Sequence, residues 1–414
     1  MLGTAGKAVK RLAPLALILA LLTVPLGGLC ELDEETAAAA DAYFLRLFTR
    51  SEAIGGGVIV SRDGETLYEY YYGADAKYNG RPVDGDTVFK VASLTKMITA
   101  VGVMRLVEEG KIGLDAPLTY GAEGAHIRNP RYPDAPVTLR QAMNHTSSLL
   151  GDAPYATAPA WEKITLDQNR YFDKYEPGTH YEYANLNGGI MGSAIERASG
   201  QSLNAYMRDA VFAPLGINAA YAAHLLPDPE PLSRTYTQEG EVYMKAEKYL
   251  EEDQAFYKDT CDPDSHYRTS VGSLYISLSG MAKIGEVLAC GGAADGVRLL
   301  SPQAAAEMRA DQRTVRGSTV TGESPYGLGV YRFTASDGRT WYGHQGRWVG
   351  MLTDLFVEPD SRTAVALVMN GVGRSGSGEL DAKAERILLR VGEWLDGGTE
   401  IDGPGSFVVD EDLP

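Results

Sequence analysis

Ser93-Leu94-Thr95-Lys96 is the one Ser-x-x-Lys in this 414-residue chain, and it supplies two residue types that acyl transfer through a serine requires. A serine hydroxyl attacks a carbonyl only when a base removes its proton. A lysine three positions further along a helix lies on the same face, one turn away and within reach of that hydroxyl. The amine acts as a base only when neutral, so the fold must bury it or set positive charge beside it. Two later motifs add to the pair. Tyr183-Ala184-Asn185, the only Tyr-x-Asn, offers a phenol that serves as base or acid according to its protonation, and an amide that both donates and accepts. His344-Gln345-Gly346 lies on or just after a late strand.

The pattern of apolar residues and turns says which elements must bring these residues together. Glu34–Arg50 and Thr95–Glu109 read as helices, the second starting at the candidate serine and stopping at Gly110. Gly57–Ser61 and Thr66–Tyr72 read as strands joined by Arg62-Asp63-Gly64, a hairpin signal. Strand character returns late, at 329–333 and 339–343 around Asp337-Gly338, then at 353–357 and 363–369. The region between is helical, with helices over 189–198 and 203–211, then an acidic, Tyr-rich stretch over 228–264 that reads as irregular loop or lid. Helices follow at 277–290, 301–309 and 380–395. The expected fold is α+β: an antiparallel sheet flanked by helices, built from about 34–140 and 270–396, with an all-helical insert over about 141–269 and a tail over 397–414.

The order and spacing of the three motifs resemble the class C β-lactamase and penicillin-recognising serine hydrolase family, whose members carry Ser-x-x-Lys, then Tyr-x-Asn, then Lys-Thr-Gly or His-x-Gly. Gly110–Asp115, Val137–Arg140, His145-Thr146-Ser147-Ser148, Pro214-Leu215-Gly216 and Tyr326-Gly327-Leu328-Gly329 also match the habits of that family, so the resemblance covers about residues 36 to 396. It implies that Ser93 is acylated and that Lys96 and Tyr183 share the proton work. Asn185, His344 and Gly346 would bind substrate, and the backbone N–H groups of Ser93 and Arg347 would form the oxyanion hole. The third motif departs from the commoner form by carrying His344 in place of a fixed cation. A substrate carboxylate favours such a cation. Arg347 supplies it if its side chain turns inward; otherwise a neutral ester or amide is the expected substrate. His145 reads as a cap or packing residue at the end of a helix, and Glu182 as a surface charge.

Composition bounds the remaining possibilities. With 44% hydrophobic residues the chain can bury a large core, and its net charge of −17 argues against nucleic acid or an anionic membrane surface as partner. The six histidines are scattered and no Cys-x-x-Cys occurs, so a metal site is not expected, and acyl transfer through a serine needs no organic cofactor. Lys7, Lys10 and Arg11 precede the uncharged run Leu12–Leu29, the layout of an export signal or a tether within residues 1–30. The protein is therefore expected outside the cytoplasm, released or anchored. Cys261 and Cys290 either pair there or remain two thiols. The expected function is hydrolysis of an amide or ester such as a D-amino-acid peptide, a cell-wall peptide or a β-lactam. Carboxylesterase or D-aminopeptidase chemistry on the same fold, and a non-catalytic binding protein, are the alternatives. The intact Ser93, Lys96, Tyr183 and Asn185 weigh against the last.

Overall fold

The computed structural model describes residues 32–73, 81–121, 124–151, 168–264, 269–312, 314–315, 318–319, 326–373 and 382–397. The expected export segment, Cys30 and nearly all of the expected tail lie outside them. Helix α1 (Glu34–Arg50) starts where Asp33 accepts from the Thr36 N–H at 2.8 Å, with Glu34 and Glu35 in its first turn, where the helix dipole favours acid. Its Ala40, Phe44 and Phe48, spaced by four, form a buried stripe. Strands β1 (Gly55–Arg62) and β2 (Glu65–Gly73) form the first hairpin. Asp63 and Gly64 turn it with φ of 56° and 85°, the two left-handed residues that match strand twist.

Next come β3 (Val88–Lys90), α2 (Leu94–Glu108), the short α3 (Leu139–Met143), α4 (Asn185–Ser199) and α5 (Leu203–Met207). Beyond Met207 the expected helix continues only as a wider π turn over Arg208–Phe212. The stretch 228–264 is more regular than its composition suggests. A small ladder pairs β4 (Thr235–Tyr236) with β5 (Val242–Met244), and α6 (Ala246–Phe256) follows. Ala246 and Tyr249 anchor that helix on Val88, Leu232 and Tyr275. Only these two α6 positions are buried, too few to make a periodic apolar signal in the sequence.

The C-terminal half contributes α7 (Thr269–Gly272), α8 (Leu278–Ala289), α9 (Pro302–Arg309) and the strands β6 (Tyr331–Thr334), β7 (Thr340–Trp348), β8 (Met351–Glu358) and β9 (Thr363–Asn370), then α10 (Ala382–Leu395). The main sheet is antiparallel in the order β6-β7-β8-β9-β1-β2, so the first hairpin joins the late strands through β1 and β9. Alternation along these strands feeds two cores. Val58, Val60, Leu352, Phe356, Val365 and Leu367 meet α1 and α10 on one face. Ile59, Leu355, Val357, Ala364 and Ala366 meet α8 and the other helices on the opposite face. Helix α2 lies between the β7–β8 part of the sheet and the helices α4 and α7. The fold class is thus the expected one, an antiparallel sheet flanked by helices with further helices stacked on one face. The stretch 141–269, expected as all-helical, also carries the 235–244 ladder and the extended segment Ala219–Ala220, which pairs with Tyr275 and Ile276. Cys261 and Cys290 are both free thiols: the first reaches the Glu196 carbonyl at 3.6 Å, the second the Arg362 carbonyl at 3.9 Å.

Candidate active site

The serine is set at the head of α2 by an unusual turn. Ala92 has φ of 47°, a left-handed conformation that a residue with a Cβ seldom adopts. Ser93 occupies the N-cap position, yet its hydroxyl caps no backbone N–H of the helix. Lys96 Nζ lies 3.0 Å from Ser93 Oγ and donates to the Val271 carbonyl at 2.8 Å. Its side chain is 1% exposed, so the lysine is a component of the interior and not a solvated helix residue. Two further bonds fix the segment that carries the serine. Val91 N–H donates to the Leu274 carbonyl at 3.0 Å, and Thr353 Oγ1 on β8 donates to the Val91 carbonyl at 2.9 Å.

Tyr183 comes to the same place from the stretch before α4, with Lys96 Nζ 5.4 Å from its ring centroid. Asn185 is the first residue of α4, one position after the N-cap Ala184. His344 on β7 brings its ring to 6.3 Å from that of Tyr183. Gly346 passes so close to the Val91 carbonyl and Thr353 Oγ1 that a Cβ there would overlap both. The three motifs therefore share one site.

The contacts of Arg347 decide between the two orientations the sequence left open. Its side chain does not turn toward Ser93. Strand alternation sends it to the sheet face opposite His344 and Gly346, where its Nη1 pairs with Asp354 Oδ1 at 3.2 Å and donates to the Gly346 carbonyl at 3.1 Å. Gln345 shares Asp354 Oδ1, donating through Nε2 at 2.8 Å. The period of two along Gly343–Trp348 was a sequence signal for this outcome.

Sequence reasoning missed an aromatic wall. Tyr326 stacks on Tyr181 with centroids 5.7 Å apart and meets His145 edge-on at 4.9 Å. His344 Nδ1–H donates to the Gln345 carbonyl at 2.6 Å, which leaves Nε2 to accept from the Tyr326 hydroxyl at 3.3 Å. His145, expected to cap or pack, lies against the ring of Tyr183. The only hints were the short family-like stretches around residues 145 and 326, neither of which indicates a role by itself.

Burial, and then the nearby charges of Lys96 and Arg347, push the His344 imidazole down to about 3, against the opposing pull of the Gln345 carbonyl. Burial, with Lys96 and His344 next, holds His145 well below its ordinary value. Both rings are neutral across physiological pH. In the unfolded chain each histidine titrates near 6.5. As pH falls from there toward 3, the unfolded state takes up a proton that folded His344 refuses, so stability falls by about 1.4 kcal/mol per pH unit from that ring, and the depressed His145 acts in the same direction. Glu286 works the other way: burial and then Asp295 hold it up to about 7, so it loses stability as pH rises from the usual carboxylate range through 7. In urea denaturation at several pH values between 6.5 and 4.5, His344→Gln is expected to flatten the acid limb by about one proton. Parallel curves for parent and variant would contradict the buried, neutral state of His344.

A family model described as Beta-lactamase matches residues 40–390. The chain belongs to the beta-lactamase family. Family membership agrees with the motif order read from the sequence. It is 32% identical over 197 residues to Esterase EstB of Burkholderia gladioli, covering 44% of this chain and 50% of the esterase, so the match spans about half of that relative. It is 25% identical to Penicillin-binding protein 4* of Bacillus subtilis (strain 168) over 365 residues, covering 84% of this chain and 74% of that protein. The octameric penicillin-binding protein homologue from Pyrococcus abyssi shares the fold with a TM-score of 0.64 at 19% identity, over 91% of this chain and 79% of the other.

Proposed function

We propose that the protein is an exported serine hydrolase that forms an acyl-enzyme on Ser93 from an ester or amide, with neutral substrates preferred to those bearing a carboxylate. The observation that carries this reading is the buried Lys96 amine 3.0 Å from Ser93 Oγ. Ser93 Oγ bonds to the carbonyl carbon while its proton passes to the Lys96–Tyr183 pair. The same pair returns a proton to the leaving alcohol or amine. Water then attacks the acyl-serine, gives up its proton to the pair, and frees the acid and the serine hydroxyl. The backbone N–H groups of Ser93 and Arg347 serve the oxyanion, and Asn185 orients the group next to the scissile bond.

The preference for neutral substrates follows from the third motif. His344 is uncharged and the Arg347 guanidinium belongs to the far face of the sheet. A carboxylate placed at the third motif therefore meets no fixed cation from it. The esterase among the relatives supports the ester reading; the penicillin-binding protein supports peptides and β-lactams as slower substrates. Export rests on the basic residues before Leu12–Leu29.

The test is to treat the protein with a fluorophosphonate and a fluorescent penicillin, map the adduct by mass spectrometry, and assay short p-nitrophenyl esters against D-Ala-D-Ala peptides. Adducts on Ser93 and at least about tenfold higher kcat/KM on the esters are expected; a tenfold ratio corresponds to about 1.4 kcal/mol of transition-state preference. Full activity in Ser93→Ala removes the proposal.

A further inference from the structure

We propose that His145 is the positioning residue for Tyr183, holding the phenol against Lys96 by gripping the chain on both sides of it. The inference rests on the reading of Tyr183 as part of the proton-transfer pair. His145 follows α3 and adopts φ of 58°, a left-handed turn that directs its backbone and side chain toward the same strand of chain. Its carbonyl accepts from the Glu182 N–H at 2.9 Å, and its Nδ1 accepts from the Ala184 N–H at 3.2 Å. Residue 183 lies between these two bonds. The imidazole itself stacks on the Tyr183 ring, with centroids 4.3 Å apart and planes 28° from parallel. The tyrosine is thus fixed before, after and over its ring by a single residue.

The grip has its own support. Because Nδ1 accepts a backbone N–H, the ring proton resides on Nε2. Asn187 Nδ2 lies 3.1 Å from the same Nδ1, and Asn187 Oδ1 accepts from Ser147 Oγ at 2.6 Å. Asn187 and Ser147 are buried and belong to α4 and to the turn after His145, so the imidazole is held between the two segments it joins. Burial keeps it neutral, which preserves Nδ1 as an acceptor and places no further cation beside Lys96. A misplacement of a proton-transfer group by about 1 Å costs on the order of a hundredfold in rate. His145 has the contacts to prevent such a shift.

The imidazole has two separable parts. His145→Phe keeps a ring to stack and removes the acceptor; His145→Asn keeps an acceptor near Nδ1 and removes the ring. Both are to be measured alone and combined with Tyr183→Phe, with thermal unfolding of every variant. Each single His145 variant is expected to lower kcat by about ten- to a hundredfold while KM changes less than about threefold. In the Tyr183→Phe background the same changes are expected to add less than about twofold, because the group they position is gone. Losses that multiply in the double variants would assign His145 a general structural role and overturn the proposal. A Tyr183→Phe enzyme with parental kcat would instead overturn the assignment of Tyr183, and the inference with it. If the phenylalanine variant does not fold, the asparagine cycle gives the same decision.

Discussion

Lys96→Ala is expected to lower kcat/KM by about a thousandfold or more, within the range observed when a positioned proton acceptor is lost. The lysine has no mobility with which to compensate for a partial change. Its amine touches Ser93 Oγ and the Val271 carbonyl, and its stem packs on α4 at Gly188, where an added Cβ would come within 3.0 Å of Cγ and Cε. Lys96→Arg is therefore expected to fail as severely: the guanidinium is larger, planar and fixed as a cation. Steady-state kinetics and the rate of fluorophosphonate labelling are the measurements, with thermal unfolding to show that the fold persists. A folded Lys96→Ala enzyme within tenfold of the parent would mean that the Ser93 proton leaves by another route.

Gly346→Ala is expected to damage stability and activity together. A methyl group at this position overlaps the Val91 carbonyl and Thr353 Oγ1, the two ends of the bond that ties β8 to the chain entering Ser93. Either β7 moves away from Ser93 or that bond breaks. Forced overpacking of this kind costs about 1–3 kcal/mol, and a shift of β7 moves the expected oxyanion donor on Arg347 with it. A hundredfold loss of kcat/KM is a reasonable scale for a displacement of about 1 Å. Denaturant unfolding and kinetics on one preparation test both effects. A midpoint and a turnover matching those of the parent would show that the glycine is not needed for close approach.

Features of the fold that depend on local chemistry could be read from the sequence. Asp63-Gly64 and Asp337-Gly338 marked two hairpins, and α1 occupies the expected residues 34–50. Ser93 and Lys96 were visible as a pair because helical spacing alone brings them together. Tyr183 and His344 required the resemblance, since they join the site only through tertiary packing. The contacts that were not foreseen involve groups with little identity in a sequence. One is a backbone carbonyl, Val271, which any residue type supplies. Another is a set of tyrosines in a chain with 24 of them, where no spacing distinguishes Tyr181 and Tyr326 from the rest. The direction of Arg347 is a different case: the period-two rule for strands contained the answer.

The pairing of β1 with β9 has a consequence for how the molecule is made. Gly55 faces Asn370, and Arg62 faces Thr363, across a ladder whose two strands are separated by about three hundred residues of chain. During synthesis Ser93, Lys96 and Tyr183 all emerge well before the strand that seats β1 against the rest of the sheet. Until then the first hairpin presents an open apolar edge, the kind of surface that slows maturation and invites aggregation. Catalytic competence should therefore arrive late and in one step, and a nascent chain halted before β9 should have the reactive side chains but no turnover.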